Sequence, residues 1–112
     1  MNAEPTEKRF KTFAEFYPYY LSEHSKTGTR ISHFIGTTLF FAWTLSALVF
    51  LNPLHFVFGV VSAYFFAWVG HFFVEKNKPA TFRYPWMSLK GDFRMYFEII
   101  GGKEKLRGDD RA

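Results

Sequence analysis

ISHFIGTTLFFAWTLSALVFL (residues 31–51), Asn52-Pro53 and LHFVFGVVSAYFFAWVGHFFV (residues 54–74) follow one another without a single Lys, Arg, Asp or Glu. All 14 basic and all 10 acidic residues of the 112-residue chain lie outside this stretch. Each apolar half, as a helix rising 1.5 Å per residue, is about 31 Å long and matches the hydrocarbon thickness of a bilayer. Asn-Pro between them signals a turn, because proline restricts its predecessor and cannot continue a helical hydrogen-bond ladder. The pattern predicts an all-α integral membrane protein built on a transmembrane helical hairpin, 31–51 and 54–74. The competing reading is a hairpin buried in a soluble bundle, but soluble helices keep a polar face and neither half shows a charged one.

Working outward, the chain is short enough for a single domain spanning 1–112. Residues 1–11 read as a flexible start, with no apolar h-region that would mark a secretory signal. Thr12 and Glu15 have the spacing of a capping box, so a helix over 12–24 is expected, interfacial and rich in aromatics. Pro18 predicts a kink or break near Tyr17. Residues 25–30 read as a polar loop in which Gly28 permits a tight turn. Beyond the hairpin, Pro79 and Pro85 punctuate a polar loop. A last amphipathic helix is expected over 88–100, capped by Ser88, with Trp86, Leu89, Phe93, Tyr96, Phe97 and Ile100 on one face. Residues 103–112 read as a disordered tail.

The net charge of +4 does not point to nucleic acid, since the basic residues are mixed with acids and no recognition pattern accompanies them. Lys26, Arg30, Lys76, Lys78 and Arg83 instead flank the open end of the hairpin. By the positive-inside rule both termini are then cytoplasmic, in a bacterial inner membrane or, in a eukaryote, the endoplasmic reticulum. Gly59, Ala63 and Ala67 form a ridge of small residues that suits either close packing within the hairpin or self-association into a homo-oligomer.

There is no cysteine, so thiolate nucleophiles and thiolate metal ligands are excluded together. The four histidines are distributed suggestively. His33 and His71 meet at the open end of an antiparallel hairpin, and a loop at Gly28 can fold His24 over them as the more mobile member. Glu75 follows His71 by one helical turn on the same face. It is placed either to join the histidines as a ligand or to accept the N–H that orients His71. His55 sits at the opposite end. Imidazoles with a carboxylate are the ligand set of non-haem iron(II) oxygenases, and zinc accepts the same donors. Ordinary hydrogen-bonded histidines are the plainer alternative. Two function classes compete with an oxygenase: a non-enzymatic membrane scaffold or lipid-binding protein, and a zinc hydrolase of lipid amides or esters.

FAEFYPYYLSEHSKTGTRISHFIGT and GHFFVEKNKPATFRYPWMSLKGDFRMY carry a resemblance beyond spacing. Their E-H…R-x-x-H-x-x-G and G-H-x-x-x-E-K-N-x-P-A blocks resemble the 2-hydroxy fatty acid dioxygenases of phytosphingosine and odd-chain fatty acid metabolism. These are small membrane proteins formerly known as a domain of unknown function. The resemblance spans roughly residues 13–102, although this chain is shorter than the eukaryotic members and has one hairpin where they have further spans. It implies an Fe(II)-dependent α-oxidation in which O2 shortens a 2-hydroxy fatty acid by one carbon. It also implies that the family's histidines correspond to His24, His33 and His71, with Glu75 in the second block. On that reading Arg30 or Lys26 is the expected partner of the substrate carboxylate.

Overall fold

The computed structural model describes residues 10–109, and all regular structure among them is helical. Four α-helices run in order: α1 (Phe13–Ser22), α2 (Thr27–Phe50), α3 (Pro53–Val69) and α4 (Pro85–Ile100). A π-helical segment, Gly70–Glu75, continues α3, and a 3-10 turn, Ala80–Phe82, precedes α4. The expectations for residues 1–9 and 110–112 lie outside the described residues.

α2 and α3 form the hairpin. Its turn is set by Asn52, whose side-chain oxygen accepts the Leu54 N–H at 3.0 Å, and by Pro53 at the first helical position, where a missing N–H costs nothing. Leu51 closes α2 in the left-handed conformation, φ 52°. The ridge of small residues serves the hairpin itself: a Cβ on Gly59 would lie 3.0 Å from Trp43 Cβ and 3.2 Å from the Phe40 carbonyl. α2, and α3 together with its π-helical continuation to Glu75, are long and apolar enough to cross a membrane, and only 17% of each apolar stretch is buried within the protein. The core helix of a soluble bundle would be mostly covered; here Leu45, Leu48, Val61 and Phe65 all stand outward.

The compact core lies beside the hairpin's open end, where Phe16, Tyr17 and Tyr20 of α1 pack with Ala80 and with Met95 of α4. Thr12 caps α1 as its spacing suggests, accepting the Glu15 N–H at 3.2 Å. Pro18 does not break α1. It removes one backbone hydrogen bond from a ten-residue helix whose burial against α4 holds it continuous. α4 presents Ser88, Gly91 and Met95 to the interior, while Trp86, Phe97 and Ile100 face outward. Phe93 and Tyr96 of its apolar stripe pack against Phe34, Phe40 and Phe41 of α2, so only part of the stripe is uncovered.

Three further expectations are corrected. α4 begins at Pro85, which is suited to a first helical position, so Ser88 lies within the helix and does not cap it. Residues 27–30 are helical, because α2 begins at Thr27, and Gly28 gives room for Val74 rather than making a turn. Residues 103–109 are not a free tail. Asp109 N–H donates to Ser25 O at 2.7 Å, Gly108 N–H donates to Thr27 Oγ1 at 2.8 Å, and Glu104 pairs with Arg30 at 3.0 Å.

Candidate metal centre

His24 comes from the link after α1, His33 from the second turn of α2, and His71 from the π-helical segment. Their rings meet edge to face, with centroids 4.4, 4.4 and 5.2 Å apart, and one nitrogen from each lies within 4.8 Å of the others. All three are at most 6% exposed. The π-helical turn places His71 here, and such widened turns recur at functional sites.

The outer nitrogens define the inner ones. His24 Nδ1 lies 2.7 Å from the Tyr20 carbonyl, which can only accept, so Nδ1 carries the proton and Nε2 the lone pair. His71 Nδ1 lies 2.7 Å from Asn77 Oδ1, and the Asn77 amide is oriented by donating to Glu23 O and Oε1, both at 3.2 Å. His33 Nδ1 lies 3.5 Å from Asp92 Oδ1, which also accepts the Tyr20 hydroxyl. Burial, then the Asp92 charge, pushes the Tyr20 hydroxyl up, so it keeps its proton and donates. Burial, then His33 and His71, holds His24 well below the ordinary imidazole value, and the ring is neutral at pH 7. The inner Nε2 atoms of His24 and His33 are buried and have no hydrogen-bond partner.

This donor set fits a metal ion. Imidazole nitrogens bind first-row ions at about 2.0–2.1 Å, so one ion spans nitrogens up to about 4.2 Å apart, and sub-ångström side-chain movement closes the group on it. The outward nitrogens of His24 and His71 are hydrogen-bonded to oxygens, and His33 Nδ1 faces an Asp92 oxygen at 3.5 Å; outward bonds of this kind fix tautomer and ring direction in metal-binding histidines.

Glu75 is not in the histidine group. Its carboxylate accepts from Lys26 N–H at 2.5 Å and Ser25 Oγ at 3.1 Å. α2 has no side-chain cap of its own and no acid in its first turn, so its unpaired N–H groups and positive dipole end draw in this anion. The orienting role considered for Glu75 falls to Asn77. Arg30 is also committed elsewhere: its guanidinium donates to His24 O at 2.7 Å, Glu104 at 3.0 Å and Lys105 O at 2.7 Å. His24 bonds the Tyr20 carbonyl and stacks on the Tyr20 ring, with centroids 4.0 Å apart. His55 bonds Ser46 Oγ at 2.7 Å, away from the group.

The three histidines form the polar head of a cavity of about 280 Å³. It runs between the hairpin and α4 to Phe40, Phe56 and Val60, and among the described residues none of those lining it is Lys or Arg. His71 and Phe56 are fifteen residues apart, about 22 Å of helix. Asn77, Asp92, Tyr20 and Ser88 were missed as site residues from sequence. The E-K-N run already held Asn77, but nothing local marked Asp92 or Ser88.

These features define an all-helical protein with two candidate membrane spans and a buried three-histidine group at the head of an apolar cavity. Residues 10–104 match the family described as 2-hydroxy-palmitic acid dioxygenase Mpo1-like, and the chain belongs to it. No curated protein and no solved structure matches the chain.

Proposed function

We propose that the protein is an iron(II)-dependent dioxygenase that shortens 2-hydroxy fatty acids by one carbon at a membrane surface. The observation that carries this reading is the convergence of three imidazoles, each with Nδ1 turned outward toward an oxygen, at the polar head of an apolar cavity. His24, His33 and His71 would hold the ion, and iron there would supply activation of O2. The remaining work belongs to the chain. The Tyr20 carbonyl, Asn77 and Asp92 hold the rings in register. Burial excludes bulk water from the head of the cavity, and the apolar walls receive the acyl chain. In this reading α2 and α3 cross the bilayer, with the Asn52-Pro53 turn on the far side and both termini cytoplasmic.

The test is aerobic incubation of purified protein with iron(II) and 2-hydroxypalmitic acid, followed by mass analysis. The expected product is the fatty acid one carbon shorter, formed only with oxygen. Turnover with zinc and without oxygen would favour the hydrolase, and the absence of any product would remove the enzymatic reading. Reporter fusions at both ends test topology, and an exported signal from either end contradicts it.

A further inference from the structure

Buried polar atoms without partners are scarce in folded chains, because each forfeits its bonds to water. Four side-chain atoms among the described residues are in that condition: His24 Nε2, His33 Nε2, Thr44 Oγ1 and Ser88 Oγ. His24, His33 and Ser88 all line the one cavity described above. The two nitrogens have an explanation in the metal; Ser88 Oγ does not.

Ser88 is 2% exposed and lies one turn before Asp92 on α4. Helical hydroxyls commonly bond back to the carbonyl four residues earlier, and Ser32, Thr38 and Ser62 do so at 2.9, 2.8 and 2.8 Å. Ser88 does not, although its backbone N–H reaches the Tyr84 carbonyl at 2.8 Å. Its hydroxyl is buried and unbonded, on a residue that lines the cavity, one turn from the acid that faces His33.

The wall indicates what completes it. Among the described residues no Lys or Arg lines the cavity and Asp92 contributes an acidic group, so this side of the head does not suit a carboxylate. An alcohol suits it, because serine and an alcohol can each donate and accept. We propose that Ser88 Oγ hydrogen-bonds the 2-hydroxyl of the substrate, which makes Ser88 the residue that separates 2-hydroxy from unsubstituted fatty acids. This rests on the substrate reading above and names the group that enforces it.

The experiment uses the full chain in phospholipid discs, with Trp43→Phe and Trp86→Phe so that Trp68, on the cavity wall, reports binding. Zinc, which takes the same donors and is redox-silent, loads the site without turnover, and a metal-free arm runs beside it. 2-Hydroxypalmitic acid and palmitic acid are titrated separately. The hydroxylated acid should bind about tenfold more tightly, the scale of one net hydrogen bond. Ser88→Ala should remove that preference and leave palmitic acid binding unchanged, and Ser88→Cys, a weak donor of similar shape, should fall between. Equal weakening of both acids by Ser88→Ala would assign Ser88 to the fold and overturn the inference. A preference that survives Ser88→Ala would overturn it while the substrate reading stands. A parent protein that binds neither acid would bring down both.

Discussion

The two ends of the hairpin hold their histidines in opposite ways. At the turn, His55 bonds Ser46 across the pair and stacks among Trp43 and Phe58, a lone ring with a local partner. At the open end, His24 and His71 bond outward through Nδ1 to the Tyr20 carbonyl and Asn77, His33 Nδ1 faces Asp92 at 3.5 Å, and the other ring nitrogens come together. What distinguishes the two ends is the direction in which the outer ring nitrogens point. At the open end that direction leaves three inner nitrogens grouped within 4.8 Å of one another, positioned to bind a metal ion.

The sharpest break in this comparison is functional. On the proposed function, His33→Ala and His71→Ala should abolish most product formation, since each removes a nitrogen from the group positioned to hold the ion. His55→Ala should leave product formation within about twofold. Product mass analysis on folded variants decides it, and equal losses at the two ends would erase the distinction.

The outward bonds form a milder test. Asp92→Asn and Asn77→Ala leave every histidine in place, so they should weaken metal binding about 10–100-fold rather than abolish it. Competition with a chelator measures this. An unchanged affinity in both would mean that the rings are oriented by packing alone.

Glu75 sharpens the comparison from the other side. Its carboxylate caps α2, so Glu75→Gln should retain stoichiometric metal and cost about 0.3–2 kcal/mol of stability through the helix terminus. Metal loss with unchanged stability would restore it as a ligand.

The smallest effect is electrostatic and lies away from the site. Partial burial raises the Glu98 carboxyl, but the Tyr17 hydroxyl and Arg94 outweigh it and leave it below the ordinary carboxylate value. A lowered carboxylate stabilises the fold above its unfolded value and loses that contribution as pH falls through the folded one. The melting difference between the parent and Glu98→Gln should therefore be present at pH 7 and shrink on acidification below about pH 4. A difference independent of pH would assign Glu98 to packing.

Much of this was legible in the chain. The charge-free stretch and Asn52-Pro53 marked the hairpin, and antiparallel geometry alone brought His33 to His71. What was not legible came from packing between distant segments. Glu75 has the spacing of a ligand along a regular helix. The preceding helix had no cap for α2, and no local pattern reveals that the nearest available carboxylate would be drawn to it. Asp92 reaches His33 only because α4 folds back over the hairpin, with Gly91 against the Tyr20 ring. Pro18 reads as a breaker until the burial of its neighbours is known. The C-terminal strap over Ser25–Arg30 depends on partners about 75 residues away.

The most direct test is metal stoichiometry in protein loaded anaerobically with iron(II), stripped of loose metal and measured by elemental analysis beside circular dichroism. One iron per chain is predicted for the parent and for His55→Ala, with near-complete loss in His33→Ala at unchanged helicity. Folded parent protein that retains no iron, or a folded His33→Ala that retains all of it, would contradict the account.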